Sequence, residues 1–331
     1  MIDLDLKDRK ILYNLDLNCR QSNTQIGKKV GLSRKVVEYR INRMEEEGII
    51  TGYWTEIDSY RFGYQVYRYY ITFQNVTKNV KEEIIKKIAD YKNTWVIGSL
   101  TGVYDVSAVI WVKSIPQFYR FWDEINERYG DYFAEKVFSV YLESDVYPHS
   151  YLIAEDEEYK KDREHPQYVG RNEPIEITYN DYRLLNVIAT NARMKTVEIS
   201  EKINCSTQNV TYNLNKLKEK GIIQGYHTGF DFSKLGLEHY KVDLWLKETS
   251  KRKKIWGELR YNPNVTFINT SAGYADLEIE FVVTDTDTLI EIIEGLSAQF
   301  KGAIRKTQYF RAKKIYKFRS LPELTEKDFK P

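Results

Sequence analysis

The chain is poor in the residues that most catalytic and metal chemistry requires. Its 331 residues include two cysteines and four histidines. Cys19 and Cys205 stand alone, which excludes a disulfide framework and a thiolate metal cluster. The histidines form neither an HExxH run nor a Cys/His group, so no metal site, cofactor or catalytic residue is expected. No apolar run reaches about 18 residues, the length a membrane-spanning helix needs. The first ten residues, MIDLDLKDRK, are charged from the start and lack the apolar core of a secretion signal. Residence in the cytoplasm is the expectation. An excess of one charge is missing too: 50 basic residues face 48 acidic ones, for a net +2. A nucleic-acid contact would have to come from local placement of charge.

Apolar residues are present in quantity, at 42%, enough for real cores. The length suits two or more domains. The chain is also written twice. Gly48-Ile49-Ile50 and Gly52-Tyr53 recur as Gly221-Ile222-Ile223 and Gly225-Tyr226. The same offset of 173 pairs Asp8 with Asp181, Leu12 with Leu185, Arg20 with Arg193 and Ser33 with Ser206. Later the offset slips to 171, pairing Gly102 with Gly273 and Asp105 with Asp276. A two-residue deletion in an intervening loop accounts for the slip.

Each copy opens with three helical stretches. Leu6, Ile11, Leu12 and Leu15 share one face of the first, and Ile26 and Val30 turn inward on the second. Ser33 and Ser206 are good N-caps for the third, because a serine hydroxyl satisfies an orphan backbone N–H. In that helix Val37, Ile41 and Met44 form a buried stripe, answered by Val210, Leu214 and Leu217. Gly48 and Gly221 end the helices. Strand-prone IITGYWTEID and IIQGYHTGFD follow, each with a turn. Three helices and a strand pair predict a winged helix-turn-helix.

With the stripe fixed, the outward residues of the third helices are determined. Lys35, Tyr39 and Asn42 lie opposite the stripe in the first copy, flanked by Arg34, Glu38, Arg40 and Arg43. Gln208, Tyr212 and Asn215 do so in the second, flanked by Thr207, Thr211, Asn213 and Lys216, with Asn209 near the N-terminus. Such a helix fits the major groove of double-stranded DNA. Arginine and lysine favour guanine edges and phosphates, and asparagine and glutamine favour adenine.

The remainder of each copy alternates strand and helix patterns in the order β-α-β-β-α-β, a ferredoxin-like sandwich. One sheet face is covered by its helices. The other carries Tyr70, Val109, Trp111, Trp245 and Val282, an apolar face that expects the same face of another such domain. Between the middle strands lie Thr101, Gly102, Tyr104 and Asp105, matched by Gly273 and Asp276. Glycine permits the tight turn. An aspartate just past it either binds a ligand amine or caps backbone amides, and spacing alone favours capping.

Leu4-Asp5 through Asp8, Ile11-Leu12, Arg20, Leu32-Ser33, Arg40-Ile41 and Gly48-Ile49-Ile50 resemble the signature of the Lrp/AsnC, or feast/famine, transcription regulators. The turn TGVYD is similar to that family's effector-domain turn. The resemblance implies DNA binding through the winged helices. It also implies a homodimer or higher oligomer through the effector-domain sheets. A small-molecule effector such as an amino acid would bind near Thr101, Gly102, Tyr104, Asp105, Gly273 and Asp276. The second copy departs from the pattern at Asn213, which replaces the arginine, and at Cys205 and Ala275.

The expected fold class is therefore α+β. Winged helix-turn-helix domains are expected over 1–58 and 177–231, and ferredoxin-like effector domains over 59–145 and 232–318. A loose linker over 146–176, with a short solvated helix near 150–163, and a loose tail over 319–331 complete the chain. The expected function is a non-enzymatic regulator whose unlike reading helices recognise an asymmetric operator. Two alternatives stand beside it. Siroheme decarboxylases look similar in layout, but their expected His-Asn-Tyr-x-Arg run has no counterpart in NTWVIGSLTG or VTFINTSAGY. A weakly specific chromatin or sensor protein is the other.

Overall fold

The computed structural model describes residues 4–155, 158–170 and 173–329. The first copy contains α1 (Leu6–Leu17), α2 (Asn23–Val30), α3 (Arg34–Glu46), β1 (Ile50–Ile57), β2 (Gln65–Phe73), α4 (Lys78–Asp90), β3 (Thr94–Thr101), β4 (Val106–Val112), α5 (Ile115–Tyr129) and β5 (Phe133–Val146). The connecting segment adds α6 (Tyr159–Asp162) and β6 (Gln167–Gly170). The second copy contains α7 (Tyr179–Ala189), α8 (Thr196–Ile203), α9 (Thr207–Glu219), β7 (Ile223–Phe230), β8 (Glu238–Leu246), α10 (Arg252–Arg260), β9 (Val265–Ala272), β10 (Leu277–Val283), α11 (Thr286–Gln299) and β11 (Ile304–Phe318).

The two copies are interlocked through their strands. No hairpin forms within either winged-helix unit, contrary to the strand pair expected from the sequence. Instead β1 of one copy runs antiparallel to β7 of the other in a two-stranded sheet. Each strand satisfies its backbone only across the copy boundary, which is why neither sequence contains a second strand for its own wing. Trp54 lies opposite His227, its own counterpart in the repeat, and their rings are 4.7 Å apart. An approximate two-fold axis therefore passes through this pair. Reciprocal bonds repeat around it. The Cys19 amide donates to the Tyr226 carbonyl, and the Ala192 amide to the Tyr53 carbonyl, each at 3.0 Å. Arg20 donates to the carbonyls of Ala192 and Met194, and Arg193 to those of Cys19 and Gln21.

Each effector unit has the ferredoxin-like strand order, β5-β2-β4-β3 and β11-β8-β10-β9. The last strand of each is long enough to serve both units. β5 pairs with β2 through its first half and with β9 through its second. β11 pairs with β8 and then with β3. Eight strands thus close on themselves within one chain, and β6 adds to the edge of β5. The effector sheets pair inside the chain.

Outside the closed sheet, α4 and α5 cover one apolar cluster, including Tyr69, Ile71, Ile84, Ile88 and Ile110. A second, with Val242, Leu244, Ile255, Ile279 and Leu289, serves the other copy. The inner face is not the apolar surface expected. Val109, Trp111, Tyr70 and Val282 are buried there as predicted, and Trp245 is half-buried. They share it with Arg68, Lys241, Asp243, Glu278 and the largely buried Glu280. Arg68 Nη2 lies 3.2 Å from Glu280 Oε1, and Lys241 is ion-paired with Glu278. The Tyr141 hydroxyl donates to Glu278 at 2.9 Å, and the Tyr274 hydroxyl to Asp243 at 2.9 Å. Burial pushes the Asp243 carboxyl up to about 7, against the pull of nearby Lys241. Pairing offsets the cost of burying these charges, which for an isolated one is on the order of several kcal/mol.

The described parts of the linker and tail are packed rather than loose. Leu152, Ile153 and Tyr159 join the first winged-helix core, and Tyr13 donates to Asp162 at 2.7 Å. Arg163 is fully buried and donates to the carbonyls of Pro148, Arg260 and Val265. Leu321 is buried in the second winged-helix core, where Leu324 and Phe329 also rest. The Tyr182 hydroxyl donates to the Pro322 carbonyl at 3.1 Å. Residues 156–157 and 171–172 of the linker, and 330–331 of the tail, lie outside the described residues. Leu6, expected inward, is 45% exposed.

Candidate nucleic-acid interface

The third helix of each winged unit is built identically and faced differently. Ser33 Oγ accepts the Val36 amide at 3.3 Å, and Ser206 Oγ accepts the Asn209 amide at 3.2 Å. These caps fix where each helix begins. Val37, Ile41 and Met44 are buried on α3, and Val210, Leu214 and Leu217 on α9. The stripe anchors each helix, so its remaining side chains stand outward. Ser33, Arg34, Lys35, Tyr39 and Asn42 are exposed on the first; Ser206, Thr207, Gln208, Asn209, Tyr212 and Asn215 on the second. Tyr39 and Tyr212 are each 67% exposed. That two equivalent tyrosines project to the same degree shows that the helices occupy equivalent settings.

Arg40 and Arg43 differ from the rest. Arg40 Nη1 lies 2.7 Å from Asp5 and 2.8 Å from Asp8, and Arg43 Nη2 lies 2.7 Å from Asp8. Asp8 is 2% exposed, so these are partly buried, charge-assisted bonds that tie α3 to α1. In the second copy Lys216 approaches Asp181 at 3.5 Å, and Asn213 stands where the first has Arg40. The cations of α3 without an ion pair among the described residues are Arg34 and Lys35. Sequence periodicity placed Arg40 and Arg43 on the flank but did not show their acidic partners. The available signal was the capping pair Asp5 and Asp8, which also closes a capping box on α1.

The residues of the effector turns make contacts within their own chain. Thr101 ends β3, and Gly102 and Gly273 have φ of +134° and +90°. A Cβ on Gly102 would sit 3.0 Å from Phe310. Asp105 accepts the Phe73 amide at 2.9 Å and pairs with Lys81 at 2.9 Å. Asp276 accepts the Leu246 amide at 2.8 Å and pairs with Arg252 at 2.7 Å. Both aspartates therefore cap strand amides, as spacing favoured. Tyr104 turns into the barrel, stacks on Tyr70 at 4.6 Å and meets the Tyr274 hydroxyl at 3.1 Å. Among the described residues there is no cluster of three or more His, Cys, Asp or Glu side chains able to hold a metal ion. No helix among them is long and apolar enough to cross a membrane.

Two exposed, serine-capped third helices on a pseudo-symmetric body define a winged helix-turn-helix DNA-binding protein. A family model described as winged helix-turn-helix DNA-binding matches residues 4–51 and 177–224. The HTH-type transcriptional regulator Ptr1 of Methanocaldococcus jannaschii is 30% identical over 135 residues, covering 41% of this chain and 82% of that protein. The HTH-type transcriptional regulator LrpA of Pyrococcus horikoshii is 30% identical over 112 residues, covering 33% of this chain and 77% of that one. The chain belongs to the Lrp/AsnC family of transcription regulators, in tandem-duplicated form. The crystal structure of the siroheme decarboxylase NirDL matches 98% of this chain and 96% of that one, with a TM-score of 0.62 and 14% identity. At that identity the likeness is one of fold.

Proposed function

We propose that this chain is a transcription regulator that reads an asymmetric operator with two unlike helices. The observation that carries this reading is the contrast between α3 and α9. Equivalent positions on one rigid frame present Arg34 and Lys35 in one copy, and Thr207 and Gln208 in the other. A homodimer would offer the same chemistry twice and favour a palindrome. Arg34 and Lys35 read a guanine-containing half-site or its phosphates, with Tyr39 and Asn42 beside them. Gln208, Asn209 and Asn213 lean toward adenine, with Tyr212 and Asn215 alongside. Arg40, Arg43 and Lys216 steady their helices and touch phosphates from the flank.

Selection from random duplexes tests the reading. The selected site should have two dissimilar halves. Gln208→Ala with Asn213→Ala should cost about 1–3 kcal/mol per lost bidentate contact and relax preference in one half only. Uniform weakening on all sequences would refute base reading by these residues. Affinity should fall with salt in proportion to the phosphates neutralised. An amino acid or other small effector acting near the Gly102 and Gly273 turns belongs to the same proposal, and calorimetric titration with amino acids checks it.

Tetrapyrrole decarboxylation is the competing reading, favoured by the full-length likeness in fold to NirDL. Neither β3 nor β9 carries a histidine to serve it. An absorbance titration with an iron tetrapyrrole separates the two: a saturable spectral shift supports the enzyme, and an unchanged spectrum opposes it.

A further inference from the structure

The closed sheet has one edge completed by the chain itself and an equivalent edge left open. Beyond its pairing with β2, the second half of β5 still needs a neighbour opposite β9. β6 supplies it: Gly170, Val169, Tyr168 and Gln167 lie antiparallel to Glu143, Ser144, Asp145 and Val146. Counted through their partner strands, those four β5 residues correspond to Lys314, Ile315, Lys317 and Phe318 of β11. Nothing among the described residues pairs with that side of β11, because the segment after β11 turns away to the second winged-helix core.

The open edge differs from its closed counterpart in two respects. It carries exposed apolar side chains between its lysines: Ile315, Tyr316 and Phe318 are 50%, 39% and 42% exposed. Its charge is also reversed, with Lys314 and Lys317 where β5 has Glu143 and Asp145. Lys317 bonds to the carbonyls of Ala89 and Tyr91, but Lys313 and Lys314 have no carboxylate partner among the described residues. Lys314 instead lies 4.8 Å over the Tyr316 ring. β5 carries its register shift between Tyr141 and Glu143, before the residues that β6 pairs, whereas β11 carries a second shift between Ile315 and Lys317, so a strand added here would have to follow one extra residue at Tyr316. Antiparallel self-pairing centred on Ile315 would set Lys313 of each copy opposite Lys317 of the other, which like-charge repulsion opposes.

We propose that the β11 edge from Ala312 to Phe318 receives an extended, acidic segment of a partner protein by strand addition, in the place that β6 holds on β5. Main-chain bonds would supply the pairing, Ile315 and the exposed part of Phe318, whose ring also meets Trp54 edge-on at 5.1 Å, the apolar contacts, and Lys313 and Lys314 the preference for acid.

The test uses the full chain and two dye-labelled peptides, one alternating glutamate and valine, the other lysine and valine. Anisotropy should saturate with the acidic peptide only, and hydrogen exchange at 312–318 should slow at least ten-fold when it is bound. The K313E/K314E variant, altered at exposed positions, should lose at least ten-fold in affinity for the acidic peptide and gain the basic one. Failure of the acidic peptide to bind, or equal binding to both proteins, would overturn the proposal. So would sedimentation showing a dimer of the chain that K313E/K314E disperses. If the variant instead lost affinity for duplex DNA and the acidic peptide never bound, the edge would belong to the nucleic-acid surface and the proposal would fall.

Discussion

Glu56 shows how a single side chain ties stability to pH. It is fully buried in β1, and its Oε2 has no hydrogen-bond partner among the described residues. Burial, with nearby Asp58 adding repulsion, pushes its carboxyl up to about 8. The folded state thus binds a proton that the unfolded chain releases near pH ~4.3. Glu56 contributes its full stability below that unfolded value and loses it as pH rises through about 8. Glu56→Gln should flatten the stability profile between those limits and stabilise the protein at pH 8 by about 1–3 kcal/mol, read from denaturant melts at several pH values. Arg40 makes the opposite case. Arg40→Ala strands part of the buried Asp8 carboxylate and should cost about 1–3 kcal/mol in stability, whatever its effect on DNA. The sequence showed Arg40 as an outward residue, because helical periodicity reports only which way a side chain leaves its own helix. Its acidic partners come from α1, and periodicity holds no information about neighbours across space.

At the scale of elements, the helices were legible and the wing was not. α3 and α9 announce themselves by a serine cap, a three-residue stripe and a terminal glycine, all local features. β1 and β7 read as strands, but their partners lie in the other copy, 173 residues away, so local sequence suggested a hairpin. The connecting segment and tail lack any apolar period and read as loose. Isolated anchors hold them instead: Arg163 on three carbonyls, and Leu321 in the second winged-helix core. Leu321→Ala should therefore destabilise the protein by about 2–5 kcal/mol, as removal of a buried leucine does. A melt no different from that of the unaltered chain would mean that the tail contributes nothing to that core.

For the whole molecule, the inner face of the closed sheet matters most. Alternation exposed its apolar members but concealed that charges from opposite copies meet there. Arg68 comes from the first copy and Glu280 from the second. Two first-copy sheets facing each other would bring two Arg68 side chains together without Glu280. Two second-copy sheets would bury two sets of Asp243, Glu278 and Glu280. Unlike halves are thereby favoured. A double-mutant cycle measures this. Arg68→Met or Glu280→Leu alone should cost about 3–5 kcal/mol, and the double variant much less. Additive losses would show that the two residues act independently.

Because β5 and β11 each cross into the opposite half of the same polypeptide, both third helices are present in every folded molecule. A regulator assembled from separate subunits comes apart as its concentration falls, and its occupancy of a site then drops with the square of subunit number. Here the covalent chain removes that step for the two third helices, so their pairing should be independent of protein concentration.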